Sequence, residues 1–211
     1  HAAILDADIT GPSIPKIFGI NKPAEAVDNS LLPHITESGV KIMSMNMLLP
    51  NATDPVLWRG PVISGVVKQF WEDVQWGDVD FLFVDMPPGT GDVPLTVFQS
   101  LPINGILIVS TPQSLVSMIV DKAMNMAQMM QVPVLGMVEN MRFLRCPDCG
   151  KEIPLFGSDD HVDNHAVPVL ERIPLDPTVA AACDAGKLEQ AEIDYLAKTA
   201  VMLTETFGKK Q

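Results

Sequence analysis

Residues 81–92 read FLFVDMPPGTGD: four apolar residues and an aspartate run into a turn made of two prolines and two glycines. The stretch 81–84 is too short and too continuously apolar for an exposed helix, and it predicts a buried parallel strand. Asp85 then stands where that strand runs out, and the carboxyl ends of strands are where open α/β sheets bind ligands. A carboxylate there, followed by a loop whose glycines let backbone approach closely, suits Mg²⁺ beside a nucleotide phosphate. The plainer alternative is an aspartate that caps the next turn. Residues 3–8, AILDAD, form a second apolar strand ending in acids, Asp6 and Asp8, ahead of an extended loop rich in turn residues. Two strands that deliver aspartates to one sheet edge concentrate negative charge, which is unfavourable unless a cation sits in it. Solvated turn aspartates are the alternative here.

Cys146 and Cys149 form a single C-x-x-C inside CPDCG. The spacing lets two thiolates point to one metal, and the proline and glycine favour the tight turn this needs. Two ligands are too few, since a tetrahedral or cubane iron site takes about four from protein. The simplest completion is a twofold dimer with two thiolates from each chain. A redox disulfide of the thioredoxin type is weakened because that motif opens a helix, whereas residues 142–151 read as a loop. A structural zinc knuckle stays open, because Zn²⁺ accepts the same four sulfurs. Cys183, the third cysteine, lies in an Ala-rich helical stretch, where a small buried residue is the ordinary reading. His161 and His165, four apart among aspartates, read as a solvated surface turn, and His34 has no identifiable partner.

Apolar β-type runs at 2–5, 40–45, 81–84, 105–109, 134–138 and 167–173 alternate with helical patterns at 63–74, 94–101, 115–130, 177–185 and 193–207. Such alternation predicts an α/β fold, a parallel sheet covered by helices on both faces, in one domain spanning 1–211. Pro33, Pro50, Pro55 and Pro61 punctuate an irregular region expected to be a functional loop. The methionines at 43–47 and 124–130 are expected to fill core gaps rather than line a partner groove. With 14 basic and 26 acidic residues, the formal net charge is -12, which argues against general binding of nucleic acid or anionic membrane. No apolar run approaches the roughly 20 residues that span a bilayer, and the start reads directly as strand without a signal peptide. The three cysteines fit a reducing compartment, so the protein is expected in the cytoplasm.

In order along the chain, DADITGPSIP, WRGP, VDMPPGTGD, STPQ, VENM, CPDCG and IPLD resemble the Mrp family of ATP-dependent iron–sulfur cluster carriers, within the MinD/ParA group of P-loop ATPases. The resemblance implies a P-loop NTPase-like fold in which Asp6 and Asp8 lie in the first switch, next to Mg²⁺ and the attacking water. It implies that Asp85 is the Walker B carboxylate holding Mg²⁺ through water, and that Gly89, Thr90, Gly91 and Asp92 form the second switch. Asn140 resembles the asparagine that hydrogen-bonds adenine, with the Pro174 loop covering the ring; from the sequence alone, Asn140 is a strand-terminal cap. For Cys146 and Cys149 the family implies a [4Fe–4S] cluster shared across a homodimer and passed to apo-proteins.

One departure is large. A phosphate-binding loop of the type G-K-G-G-V-G-K-[ST] does not occur, and none of the Gly-Lys pairs at 150, 186 and 208 is followed by Ser or Thr. The sequence is therefore expected to be an N-terminally incomplete copy, short of the first strand, the P-loop and the first helix, and unable to hold ATP in the family's manner. The expected function is an ATP-dependent iron–sulfur carrier that is an ATPase in its complete form. The rivals are a MinD/ParA-like positioning ATPase, for which the C-terminal segment has too few basic residues, and a zinc-binding interaction module.

Overall fold

The computed structural model describes residues 1–8, 11–28, 30–49, 60–156 and 167–208. The elements run β1 (Ala2–Asp6), α1 (Ile14–Ile17), β2 (Glu25–Val27), β3 (Ser30–Leu32), β4 (His34–Ile35), β5 (Lys41–Ser44), α2 (Gly60–Glu72), β6 (Phe81–Asp85) and α3 (Asp92–Ser100). They continue as β7 (Ile106–Ser110), α4 (Ser114–Met129), β8 (Val134–Arg145), β9 (Glu152–Pro154), β10 (Val169–Pro174), α5 (Pro177–Asp184) and α6 (Ala197–Phe207). Single turns of 3-10 helix lie at Met45–Leu48 and Leu188–Gln190. The fold is α/β, with mostly parallel pairing, as the alternation of the sequence predicts.

The chain forms two compact units, His1–Pro102 with Val179–Glu192, and Ile103–Thr178 with Ile193–Gln211. In the first, the sheet order is β4-β5-β1-β6, with β1 parallel to both neighbours and β4 antiparallel at the edge. Leu5 sits between Met43 and Val84 in this register and is fully buried with Ile42, Met43 and Met45. Val67 and Phe70 of α2 and Val97 of α3 are buried as well. The segment Val179–Glu192 is fastened to this unit at two points. Gly19 and Gly186, both left-handed, touch so closely that a Cβ on Gly186 would lie 2.7 Å from Gly19 Cα. Glu189 accepts hydrogen bonds from Thr36 Oγ1 (2.6 Å) and from the Ser38 hydroxyl.

The second unit has the order β10-β8-β7, all parallel, with β9 antiparallel to β8. Ile108, Val120 and Met137 are its core. Its buried charges are Glu139 and Arg142; Glu139 Oε2 lies 3.0 Å from Arg172 Nε and 3.7 Å from Arg142 Nε.

Several expectations change. Residues 142–151, read as a loop, are the end of β8 and a turn into β9, because the backbone of 143–145 pairs with 152–154. Residues 81–84 are parallel strand but not fully buried, and Phe83 is 43% exposed. Among the described residues β6 pairs with β1 alone. The proline-punctuated region holds β4, β5 and a 3-10 turn, while Pro50 and Pro55 lie outside the described residues. Helix α6 begins at Ala197 rather than 193. Met43, Met45 and Met47 are core as expected, whereas Met129 of the second cluster is 83% exposed. His161 and His165 lie outside the described residues.

Truncating a side chain packed this tightly leaves a cavity. Leu5→Ala is expected to lower the unfolding free energy of its unit by about 2–5 kcal/mol, measured by urea denaturation. A loss below about 1 kcal/mol would contradict the placement of Leu5 at the centre of the sheet.

Candidate metal and nucleotide sites

In the first unit the acids gather because two parallel strands end in register. Asp6 of β1 pairs with Asp85 of β6 on one side and Ser44 of β5 on the other. The ladder runs one step further, with the Ala7 N–H donating to the Asp85 carbonyl at 2.8 Å. Asp6 is fully buried. Its carboxylate accepts from Ser44 Oγ at 2.9 Å and from the Asp8 N–H at 3.3 Å, and Asp8 in turn accepts from the Gly11 N–H at 3.1 Å. Burial pushes the Asp6 carboxyl up to about 6; the nearby Asp85 charge adds to this and the Ser44 hydrogen bond opposes it. Asp85 is more open to water, yet partial desolvation, and then the charge of Asp8, also raise its pKa.

Three carboxyl groups that repel one another at the carboxyl end of a sheet suit a cation. Among the described residues, no group of three or more His, Cys, Asp or Glu is placed to hold a metal by direct ligation. Beyond β6, Gly89 takes a left-handed φ of +91° and Gly91 is the N-cap of α3. Asp92 stands in the first turn of that helix, where an acid is favourable to the helix dipole, and its carbonyl accepts from Thr96 Oγ1 at 2.7 Å. Thr90 is exposed in this loop.

In the second unit, Cys146 and Cys149 lie at the tip of the β8–β9 hairpin. The turn is closed by the Cys146 N–H donating to the Lys151 carbonyl and the Gly150 N–H donating to the Cys146 carbonyl, both at 2.9 Å. Gly150 is left-handed at φ +72°, a conformation glycine takes without strain. The Cys146 sulfur is held below the ordinary thiol range, first by the backbone N–H of Cys149, then by that of Asp148 and by the Cys149 thiol. Backbone donors aimed at a sulfur stabilise the thiolate, which is the form that binds metal. Both cysteines are free thiols and accessible. Cys183 belongs to α5 in the first unit and lies outside this hairpin.

Asn140 does not end its strand, because β8 continues to Arg145. Its side-chain oxygen accepts from the Met141 N–H at 2.9 Å. Pro174 is the last residue of β10, buried opposite Phe143. Sequence reasoning overlooked Ser44, Glu139 and Arg142. Ser44 was discoverable as the polar end of an apolar run, KIMS, next to a strand ending in acid.

Parallel strands that end in carboxylates, with a glycine loop opening into a helix, define the class: an α/β protein of the P-loop NTPase fold. The chain belongs to the ParA family, in the group described as the NUBPL iron-transfer P-loop NTPase, which matches residues 1–206. It is 43% identical over 198 residues to an iron-sulfur cluster carrier protein of Clostridium perfringens, spanning 89% of this chain and 69% of that protein. It is 44% identical over 188 residues to the protein of the same name from Methanocaldococcus jannaschii, spanning 87% of this chain and 65% of that one. Among solved structures it is similar to a nucleotide-binding protein of Archaeoglobus fulgidus in complex with ADP. There the TM-score is 0.79 and the identity 39%, with 92% of this chain and 77% of that chain covered. A chain of the MinC:MinD cell division protein complex of Aquifex aeolicus shares the fold, at TM-score 0.65 and 14% identity over 100% of this chain and 84% of that one. No helix of the described residues is long and apolar enough to cross a membrane.

The Asp6 environment gives a pH signature. Folding raises its pKa from 3.8 to about 6, so the folded state holds that proton more tightly. The contribution is fully present below pH 3.8 and is lost as pH rises through about 6, a span equivalent to about 3 kcal/mol. Asp6→Asn, which can still accept from Ser44, is expected to be more stable than the native chain by up to about 3 kcal/mol at pH 7.5 and nearly equal to it at pH 4. Urea midpoints at both pH values measure this. An equal difference at the two would show that Asp6 is not strained by its charge.

Proposed function

We propose that the protein is an iron–sulfur cluster carrier that holds its cargo, a [4Fe–4S] cluster, between the Cys146 and Cys149 thiolates of two chains and donates it to apo-proteins. The observation that carries this reading is the hairpin tip, where backbone N–H groups stabilise a thiolate beside a second accessible thiol. A cluster at such a tip is open to attack by an acceptor's thiols, as transfer requires. The names of the relatives point the same way.

The strand-end acids are the proposed nucleotide side of the protein. Asp85 and Asp6 would hold Mg²⁺, Asp8 would face the attacking water, and residues 89–92 would sense the terminal phosphate. Asn140 would contact the adenine and Pro174 would border it. Bound Mg²⁺ would neutralise phosphate charge, and nucleotide-driven pairing of two chains would alter the geometry at the cysteines. The 211 residues hold no Gly-Lys-Ser/Thr sequence to cradle phosphates. By themselves they are accordingly expected to show no specific ATP binding and no turnover. A zinc knuckle is the second reading, since the same hairpin suits Zn²⁺.

Anaerobic reconstitution with ferric and ferrous iron in equal amounts and sulfide, followed by addition of an apo-ferredoxin, separates the readings. Cys146→Ser and Cys149→Ser are each expected to abolish the broad visible absorption, and Cys183→Ser to leave it intact. Native protein should pass its cluster to the acceptor. Uptake of Zn²⁺ alone, with nothing donated, would replace the carrier by the knuckle.

A further inference from the structure

β8 carries an irregularity that neither the metal site nor the sheet explains alone. Met141, in the middle of the strand, has φ +55°, a left-handed backbone rarely adopted by a side chain of this kind. Across it the ladder slips, so that Arg172 of β10 faces Glu139 and Pro174 faces Phe143. Two steps of β10 thus oppose four of β8, which makes a bulge at 140–142. In an unbroken strand, residues three apart point to opposite faces. Here the bulge resets the alternation, and Glu139 and Arg142 are both buried, with their charged groups 3.7 Å apart.

Below the bulge β8 belongs to the parallel sheet with β7, and above it to the cysteine hairpin with β9. The bulge at Met141 therefore lies where β8 passes from the sheet into the hairpin, and β10 pairs with β8 on both sides of it, at Glu139 and at Phe143. Glu139 holds the joint through one oxygen, Oε2, while its buried Oε1 has no hydrogen-bond partner among the described residues. The second hold is Asn140, whose side-chain oxygen takes the Met141 N–H that the slipped ladder leaves over.

We propose that Asn140 is a positioning residue for the cysteine hairpin, its side-chain oxygen capping left-handed Met141 and so fixing the kink from which β8 carries Cys146 and Cys149. This rests on the reading that the two cysteines hold metal. At about 3.3 Å per residue, at most about 20 Å of strand separates the amide from the Cys146 thiol, with no flexible loop between them. A ligand that engages the Asn140 amide addresses the group that holds the kink.

Two measurements on the full chain test this. One is the thiolate-to-cobalt charge-transfer band during anaerobic titration with Co²⁺ alone. The other is amide hydrogen exchange of residues 142–151 without metal, read by mass spectrometry. Asn140→Ala is expected to weaken Co²⁺ binding about fivefold, the effect of one lost hydrogen bond, and to speed exchange in the hairpin. Adding Met141→Gly should restore both, because glycine takes positive φ without a cap. Asn140→Asp, which keeps the oxygen, should behave as native. Unchanged binding and exchange in Asn140→Ala, or no restoration by Met141→Gly, would overturn the proposal. If the native chain gives no cobalt band, the metal reading fails and positioning at a metal site fails with it. The exchange rates would then still show whether Asn140 holds the kink.

Discussion

The second unit is organised around one continuous strand. β8 is bonded in parallel to β7 over its first half and antiparallel to β9 over its second, with β10 alongside at 137–139 and again at Phe143, so a single run of backbone serves both the sheet and the hairpin. This works only because the strand is bulged. Buried Glu139 needs its arginines on its own side, and Arg142 reaches that side through the left-handed turn at Met141. Removing one partner from a buried ion pair costs about 3–5 kcal/mol, so the irregular backbone and the buried charge maintain each other. The cysteines inherit their position from this arrangement, and their chemistry comes from the turn, whose N–H groups face the Cys146 sulfur.

The first unit solves a different problem with similar means. Because β1 is paired in parallel on both sides, Ser44, Asp6 and Asp85 are forced into one row. Hydrophobic burial of Leu5, Ile42 and Met43 holds that row together against the repulsion of its own carboxylates. Charge held against its preference is characteristic of functional sites.

Much of this was legible in the sequence, for identifiable reasons. Runs such as AAILD and FLFVD are short, apolar and end in acids, so strand, direction and site come together. CPDCG states its own turn. What stayed hidden depends on contacts remote in sequence. The second half of β8 reads as a loop in the sequence because the bulge breaks the period-two pattern that marks a strand and because Arg142 and Arg145 look solvated. Arg142 is in fact buried, paid for by Glu139. The β2–β3 hairpin was missed because its strands are three residues each and exposed or half-buried.

In the proposed carrier, two hairpins, one from each of two chains, hold one cluster. Native mass spectrometry of the anaerobically reconstituted protein tests it most directly. The account predicts a species of two chains with four irons and four sulfides, which separates into bare chains when the cluster is removed by a chelator. A single chain carrying the whole cluster, or a dimer whose added mass is zinc alone, would contradict it.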